Sequence, residues 1–355
     1  MKPAILYMLT SLRTTGGTTA KIRSTFKYTK FKVFIATREG IDQKTIEEWE
    51  RLDKIKYIKT CPKNFIKTLL ILNKTIRKEN INIVHAFFPY ETYIAYTLKL
   101  FNRNLKVIRS FEGPVERKWI IKILSKITLP SFDKLIFISK YVKDYYAKLT
   151  KNHKSKVIID NSAYHNYTFS ERTKGNICKL IDVAGLNPIK NIFMHAEIGR
   201  VLKSRNFPFV IKIAGDGPYR ERLENLIRKY DIQKEVILLG NQVNPQKYYE
   251  EADIFIHPAD LEGFGIVVPE AMSSGLPVIL SDKGALPELV TNLEDGIIVD
   301  AYNPEEWADA IIKLHNDREL YKKLAGNAYK TYKKRFTPDI YARKLDEVYT
   351  ELTYK

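Results

Sequence analysis

The sequence has 355 residues with 45% hydrophobic and 12% aromatic side chains, which fits roughly two folded domains and argues against intrinsic disorder. Its net charge of +18 is uneven, because residues 1–165 hold 33 Lys and Arg against 13 Asp and Glu, whereas the remainder is nearly balanced. Two isolated cysteines without a CxxC pair argue against a metal site or a disulfide framework, and no apolar run approaches the ~20 residues that span a bilayer.

The cysteine usage favours a reducing compartment, and Met1–Met8 reads as a first strand rather than as a signal peptide. We therefore expect a cytoplasmic protein. The basic first half would attract an anionic partner, such as membrane lipid, an acidic glycan or nucleic acid. Ordinary solvated surface lysines are the alternative explanation of this excess.

Short β-rich runs alternate with helical segments along the whole chain. Strands are predicted at 4–10, 32–37, 83–86, 105–110, 134–139, 179–184, 209–214, 236–239, 253–258, 276–280 and 296–299, and helices at 65–78, 192–205, 219–230, 245–250, 304–315, 318–332 and 340–352. Strands separated by helices indicate βαβ units and parallel sheets. We predict an α/β protein with two Rossmann-like, doubly wound domains, residues 1–165 and 166–337, facing each other across a cleft, and a C-terminal helix at 338–355.

Glycine-containing loops follow several of these strands. Gly16-Gly17 would let a loop approach a phosphate or a sugar, although a tight strand-to-helix turn explains it equally well. Gly215-Asp-Gly-Pro opens a helix, and either a turn or a ligand contact accounts for it. The dinucleotide signature GxGxxG is absent, which argues against a nicotinamide or flavin dinucleotide.

The most informative stretch is Asp260–Leu280. It contains two carboxylates, Glu262 and Glu270, on either side of a Gly-Phe-Gly turn that precedes a helix and a buried strand. Carboxylates accept hydrogen bonds from vicinal hydroxyls, and free N–H groups at a helix start favour anions. Lys190, in another strand–loop–helix junction, would neutralise a diphosphate. The pattern indicates a sugar nucleotide, while the alternative is a helix-starting Glu270, a loop acid at Glu262 and a solvent-facing lysine.

Two further groups of residues are candidates for function. The histidines His85, His165, His195 and His257 share no metal-ligand spacing and are interpreted as structural. The segment Glu116–Ile127 places Lys118, Lys122 and Lys126 in one row beside Trp119 and isoleucines, as in a basic amphipathic helix that lies on an anionic membrane or binds an acceptor. An ordinary packed helix with a lysine face is the alternative.

Together these residues resemble the GT4-type family of retaining glycosyltransferases, which have the GT-B fold. The resemblance covers most of the chain and is strongest over Ile177–Val299, where EGFGIVVPEAMSSGLPVI is similar to the family's E-x7-E signature. The segments IKIAGDGPYRERLENLI and VILLGNQV match in order and spacing as well. No segment alone would be specific.

The resemblance implies transfer of a hexose-type sugar, with retention, from a UDP- or GDP-sugar to a glycan or lipid-linked acceptor in surface polysaccharide synthesis. Lys190 would bind the donor diphosphate, Glu262 would contact the donor sugar, and Glu270 would bind the ribose hydroxyls. The remaining donor-binding positions implied in this way are Gly16, Gly17, Gly215, Gly263, Phe264, Gly265, Ile266 and Val267. No cofactor, no metal and no nucleic acid are expected, and the protein would be peripheral to the inner face of the plasma membrane.

Two positions depart from the family pattern. Gly185 stands where the family has an arginine beside the diphosphate, and Glu112, in RSFEGP, stands where it often has a histidine, which makes Glu112 a candidate catalytic residue. Loss of a cation weakens stabilisation of the leaving group. Arg109, Lys21 and Arg13 are candidates to replace it. The alternatives are a non-catalytic or less active sugar-nucleotide-binding partner of a glycosyltransferase, and a GT-B sugar-nucleotide epimerase or hydrolase.

Overall fold

A computed structural model of the chain describes residues 3–10, 17–39, 47, 51, 55–60, 64–114, 119–151, 153–163, 167–169, 172 and 175–353. The chain divides into two compact units. Unit 1 combines Met1–Asn161 with Pro338–Lys355, and unit 2 is Ser162–Thr337. This division lies a few residues before the boundary that we predicted from the sequence.

Unit 1 is built on a seven-stranded parallel sheet with the strand order β3-β2-β1-β4-β5-β6-β7. The strands are β1 (Ala4–Leu9), β2 (Lys32–Thr37), β3 (Ile55–Lys59), β4 (Ile81–Ala86), β5 (Lys106–Phe111), β6 (Lys134–Phe137) and β7 (Lys156–Ile158). All residues of β1 are buried, as expected for a central strand of a parallel sheet that is covered on both faces. The strand order reverses between β1 and β4, and such a switch point opens a crevice at the carboxyl ends of the strands.

The helices of unit 1 follow its strands in the order of a doubly wound fold. They are α1 (Gly17–Thr25), α2 (Phe65–Lys78), α3 (Pro89–Phe101), α4 (Trp119–Thr128), α5 (Lys140–Tyr145) and the C-terminal α12 (Pro338–Thr353). Helix α12 packs against α1 and adds Tyr341, Leu345 and Tyr349 to the core. The last helix of the chain is therefore part of the first unit.

Unit 2 repeats the plan with a six-stranded parallel sheet in the order β10-β9-β8-β11-β12-β13. Its strands are β8 (Cys178–Val183), β9 (Phe209–Ala214), β10 (Val236–Gly240), β11 (Ile254–His257), β12 (Val278–Ser281) and β13 (Ile297–Val299). Its helices are α6 (Phe193–Ser204), α7 (Arg220–Lys229), α8 (Gln246–Glu251), α9 (Val267–Ser273), α10 (Pro304–Asn316) and α11 (Arg318–Arg335). Here the order reverses between β8 and β11.

The prediction of two doubly wound parallel-sheet units is confirmed, although it omitted strands β3 and β7 and helices α1, α3 and α5. The two missing strands are the edge strands of the unit 1 sheet, and most of their residues are only partly buried or exposed. Half-buried edge strands carry a weak apolar pattern. Within the described residues, none of the helices is both long and apolar enough to cross a membrane.

Candidate active site

The loops after β8 and β11 bring Lys190 and Glu262 together at the switch point of unit 2. Lys190 ends a short 3-10 turn, Pro188–Lys190, which is followed by Asn191 in the left-handed conformation at φ 48°. The side-chain amide of Asn191 donates to the carbonyl of Ala301 at 2.8 Å. Asparagine tolerates this conformation, so the turn holds the lysine stem at the start of α6.

Lys190 Nζ forms an ion pair with Glu262 Oε1, and both side chains remain partly accessible, at 20% and 12%. Burial lowers the pKa of Lys190 to about 8, while the nearby Asp182 carboxylate acts in the opposite direction. This pair can bind a ligand that carries both an anion and hydroxyl groups. The lysine would bind the anion, and the carboxylate would accept hydrogen bonds from the hydroxyl groups.

The backbone of Glu262 is fixed by the loop after β12. Gly284 has φ +60°, and a Cβ at this position would lie 2.5 Å from the Glu262 carbonyl oxygen. The N–H group of Ala285 donates to the same oxygen at 3.0 Å. Only glycine allows this close approach. The loop after β12 therefore fixes the position of the Glu262 backbone relative to the sheet.

Behind Glu262 lies a group of three buried side chains, Asp182, His195 and His257, which we call the histidine network. His195 Nε2 lies 2.9 Å from Asp182 Oδ2, and His257 Nδ1 lies 2.8 Å from Asp182 Oδ1. His257 Nε2 lies 3.3 Å from Glu262 Oε1. All three are at most 1% exposed. The hydrogen bonds run without interruption from α6 through β8 and β11 to the Lys190–Glu262 pair.

Asp182 keeps its negative charge inside this network. Burial by itself would raise the pKa of a carboxyl group, but the charges and hydrogen bonds of His257 and His195 outweigh burial and lower the pKa of Asp182 below its usual range. The sheet of unit 2 therefore contains a permanent carboxylate at neutral pH, directly behind the candidate site.

Glu270, the second carboxylate of the motif, lies in the first turn of α9 and is 5% exposed. It accepts a hydrogen bond from the hydroxyl of Tyr249 at 3.3 Å. Burial, together with the charge of Glu270, raises the pKa of Tyr249 well above its usual value, so that this hydroxyl keeps its proton. The segment Gly263–Val267 joins Glu262 to α9. In the first turn of α9, the Val268 N–H group donates to the Gly265 carbonyl at 3.0 Å, and Pro269 has no N–H group.

Gly215 has a complete structural explanation. A Cβ at this position would lie 1.9 Å from the carbonyl oxygen of Ala184, and the Gly215 N–H group donates to the Gly240 carbonyl at 2.9 Å. The residue allows the loops after β8, β9 and β10 to pack closely. At Gly185, the family's arginine position, a Cβ would lie 3.3 Å from the side-chain nitrogen of Asn187, which occupies the adjacent space.

The candidate residues of unit 1 form a cluster of their own. Glu112 Oε2 pairs with Lys21 Nζ at 2.7 Å, and Lys21 is fully buried with its ammonium group 4.9 Å from the centre of the Tyr341 ring. Arg109 is 3% exposed and donates to the backbone carbonyls of Ser110 and Ala86. These cations therefore have partners within unit 1. Gly17 begins α1, whereas Gly16 and Arg13 lie outside the described residues.

Helix α4 carries the predicted surface side chains. Trp119 is 72% exposed, Ile127 is 59% exposed, and Lys122 and Lys126 are exposed as well. Among the α4 side chains that the structure describes, Ser125 and Thr128 are buried and Ile121 is half-buried. Much of the apolar surface of α4 is therefore exposed, whereas an ordinary packed helix turns its apolar stripe to the core. Lys118 lies outside the described residues.

The comparison with known sequences identifies two matching families. The family model of glycosyl transferases group 1 matches residues 168–331, and the model of glycosyltransferase family 4 matches residues 29–159. An uncharacterised glycosyltransferase of Methanocaldococcus jannaschii is 25% identical over 284 residues, which is 78% of both chains. The O-antigen biosynthesis glycosyltransferase WclY of Escherichia coli is 28% identical over 226 residues, which is 62% of both chains.

The comparison with solved structures shows the fold. The Anabaena protein HepE in complex with UDP superimposes with a TM-score of 0.81 at 17% identity, over 99% of this chain and all (100%) of that chain. Two parallel-sheet units of this kind form the GT-B fold, as we predicted.

The sequence analysis found Lys190, Glu262 and Glu270 but missed the histidine network. It interpreted His195 and His257 as structural because no metal-ligand spacing connects them, whereas in the structure both rings bond to Asp182 beside the candidate site. Asp182 was not considered. Its position in the sequence could have indicated a role, because an ionisable residue near the end of the central strand β8 lies beside the switch point.

Proposed function

Because the chain belongs to the GT4-type glycosyltransferases, we propose that it transfers a hexose-type sugar, with retention, from a UDP- or GDP-sugar to a glycan or lipid-linked acceptor in surface polysaccharide synthesis. The observation that carries this proposal is the Lys190–Glu262 ion pair at the switch point of unit 2. No metal or cofactor takes part in the proposal.

Lys190 supplies the charge that the reaction needs at the leaving group. As the bond between sugar and diphosphate breaks, negative charge grows on the diphosphate, and a positioned cation stabilises that charge most when it increases. Lys190 is partly buried and its charge is matched by Glu262 in the free protein. Donor binding would exchange this carboxylate for the diphosphate and release Glu262 to accept a hydroxyl of the sugar.

Glu270 and the Gly263–Val267 segment would hold the rest of the donor. A carboxylate accepts two hydrogen bonds from the vicinal hydroxyls of a ribose, and Glu270 lies eight residues beyond Glu262 on the next helix. Backbone N–H groups of the Gly263–Val267 segment would complement phosphate or sugar oxygens. The structure of a UDP complex of a protein with this fold supports a nucleotide donor, and the name of the WclY relative supports a polysaccharide product.

Acceptor binding at a membrane is the second part of the proposal. Trp119, Ile123 and Ile127 of α4 are exposed beside Lys122 and Lys126, which is the pattern of an interfacial helix on an anionic surface. The exposed Leu100 and Phe101 lie at the end of α3, which packs against α4. We propose that this surface of unit 1 docks on the cytoplasmic face of the membrane, where lipid-linked acceptors are found.

A ligand screen followed by transfer assays tests the proposal. Thermal unfolding is measured with a panel of UDP- and GDP-sugars, because a ligand that binds the native state raises its melting temperature. Transfer of the sugar that binds is then followed by NMR, which also reports the anomeric configuration of the product. Lys190→Ala and Glu262→Ala should abolish most of the transfer with an unchanged melting temperature, whereas Lys229→Ala, in the last turn of α7, should have no effect.

The outcomes separate the competing functions. Conversion of a sugar nucleotide without an acceptor would indicate an epimerase or hydrolase. Donor binding without transfer in any acceptor screen would indicate a binding partner that lost turnover, consistent with Gly185 and Glu112. Wild-type transfer by both Lys190→Ala and Glu262→Ala would contradict the proposed site.

A further inference from the structure

The oxygen of Glu262 that binds Lys190 has a second donor. His257 Nε2 lies 3.3 Å from the same Oε1 atom. This inference rests on the proposed function, in which Lys190 leaves Glu262 for the donor diphosphate. Among the described contacts of Glu262, the one from His257 then remains on Oε1, and the second oxygen, Oε2, is available to the sugar.

The direction of the hydrogen bonds follows from the charge of Asp182. An ionised carboxylate only accepts, so His257 Nδ1 must carry a proton to bond with Asp182 Oδ1 at 2.8 Å. If Nε2 were then unprotonated, its lone pair would face the Glu262 carboxylate. The ring satisfies both neighbours when both nitrogens carry protons. Both nitrogens of His195 also face acceptor oxygens. Nδ1 lies 3.0 Å from the Ile192 carbonyl oxygen, and Nε2 lies 2.9 Å from Asp182 Oδ2.

The cost of this arrangement indicates a role beyond packing. A buried carboxylate loses the hydration of its charge, and apolar side chains of similar volume are often as stabilising as a buried ionic group. Asp182, His195 and His257 are at most 1% exposed, so apolar side chains of similar volume could fill the same buried space. The ionic network adds nothing to this packing that apolar residues could not supply, but it fixes the position of one carboxylate oxygen.

We propose that His257 is a positioning residue for the donor sugar. It donates from Nε2 to Glu262 Oε1 and keeps Oε2 directed at a sugar hydroxyl after Lys190 has moved to the diphosphate. Asp182 orients the His257 ring through Nδ1, and His195 holds the other oxygen of Asp182. Orientation of a histidine by a buried carboxylate is a recurring way to fix its ring and its protonation.

The histidine network should therefore contribute to binding of the donor sugar and not to binding of the nucleotide. A bare nucleoside diphosphate and a sugar nucleotide both displace Glu262 from Lys190, but only the sugar nucleotide offers Glu262 a sugar hydroxyl to bind. The ratio between the affinities of the sugar nucleotide and the bare nucleotide isolates the contribution of Glu262. A residue with a purely structural role would change both affinities together.

Calorimetry measures this ratio in the full-length protein. The probes are UDP with UDP-glucose and GDP with GDP-mannose, and the pair that the wild type binds is used. His257→Phe keeps a ring of similar size without hydrogen bonds, and it should lower the ratio about tenfold, since a lost hydrogen bond to a charged group is worth that much. Affinity for the bare nucleotide should stay within about twofold. His257→Gln, which retains an amide donor, should recover part of the ratio.

A histidine outside the network provides the matched control. His315 on α10 packs edge-on against Phe207 with ring centres 5.3 Å apart, and His315→Phe should leave the ratio unchanged. Equal losses for the sugar nucleotide and the bare nucleotide in His257→Phe, or an unchanged ratio, would overturn the inference.

Nitrogen-15 NMR of histidine-labelled protein tests the hydrogen bonds without any ligand. The Nε2 atom of His257 should be protonated in the free protein, and its signal should move in Glu262→Gln, while His315 should not respond. An unprotonated Nε2 would overturn the inference. Failure of the wild type to bind either pair of nucleotides would instead contradict the proposed function, and the NMR result would still show whether His257 donates to Glu262.

Discussion

Each unit of the molecule buries a histidine near the switch point of its sheet, but the surroundings of the two histidines have opposite charge. In unit 1, His85 lies between hydroxyl groups, with Nδ1 at 2.7 Å from Tyr349 and Nε2 at 2.7 Å from Ser110. Burial and the nearby charges of Lys21 and Arg109 lower the pKa of His85 well below its usual value, so the ring is neutral. In unit 2, His257 lies between the carboxylates of Asp182 and Glu262.

This difference distinguishes a structural junction from a candidate site. Hydroxyl groups act as donors or acceptors, so the neutral His85 is satisfied entirely within the core, where Tyr349 also bonds with Tyr7 at 2.7 Å. The cluster joins α12 to strands β1, β4 and β5. The network around His257 instead ends at the partly accessible Lys190–Glu262 pair. The hydrogen bonds of His257 therefore lead to an accessible charged pair, whereas those of His85 end in the core.

The largest effect is expected from breaking the junction in unit 1. Tyr349→Phe removes the hydroxyl shared by His85 and Tyr7 and leaves both buried groups without that partner, which should cost about 1–3 kcal/mol of unfolding free energy. Urea denaturation measures the loss. Tyr28→Phe, at a tyrosine that is 42% exposed, should change stability little. Equal stability of Tyr349→Phe and wild type would show that the junction does not hold α12.

The contrast between the two histidines could not be read from the sequence. His257 and Asp182 are 75 positions apart, and the pairing of β8 with β11 brings them together, while the packing of α6 brings His195 to Asp182 from 13 positions away. Tyr349 and His85 are 264 positions apart. Local patterns do not encode such contacts, because they depend on strand order and on the return of the last helix to unit 1.

The sequence was sufficient where local chemistry determines structure. The central strands were predicted from continuous apolar runs, and the loop with Glu262 and Glu270 from its glycines and carboxylates. These features depend on a few adjacent residues. The edge strand β3 was missed because only one of its residues, Ile55, is buried. Trp119 is exposed, as a helix on a membrane requires, and Ser125 and Thr128 are buried on the same helix, but binding of α4 to a membrane stays a prediction.

Activity that depends on Lys190, at the accessible end of the histidine network, should decrease at alkaline pH. Lysine is charged below its pKa, and the pKa of Lys190 is lowered to about 8, so kcat/KM for the donor should fall about tenfold per pH unit above this value. Lys190→Arg should move the decline to higher pH, because guanidinium stays charged. A pH profile of initial rates measures this limit. A flat profile up to pH 10 in the wild type would contradict a catalytic cation at this position.

The neutral His85 of unit 1 should instead make the stability of the folded protein decrease at acidic pH. The unfolded chain binds a proton at His85 below about pH 6.5, whereas the folded protein does not, so stability falls as the pH decreases below that value. The slope contributed by one histidine is at most about 1.4 kcal/mol per pH unit. Urea midpoints between pH 7.5 and 5.5 measure it. His85→Gln should be less stable overall but should lose less on acidification, and an unchanged slope in this variant would assign the effect to other groups.

The two units also differ in net charge. The basic excess lies in residues 1–165, and α4 presents Lys122 and Lys126 beside exposed Trp119. Each lysine near an anionic membrane contributes about 1 kcal/mol, so Lys122→Gln with Lys126→Gln should weaken binding to phosphatidylglycerol vesicles by roughly 30-fold. Binding by the wild type should also weaken as salt is added, because exposed charges are screened over ~8 Å at physiological ionic strength.

The matched control for this surface is a second pair of exposed lysines on another helix of unit 1. Lys74→Gln with Lys78→Gln, in α2, removes the same charge and should leave vesicle binding nearly unchanged if α4 is the contact. Sedimentation with phosphatidylglycerol and with phosphatidylcholine vesicles, at low and high salt, compares the two variants. Equal losses in both would assign the attraction to the overall charge of unit 1. A wild type that ignores anionic vesicles at low salt would contradict membrane docking, and the exposed side of α4 would then need another partner.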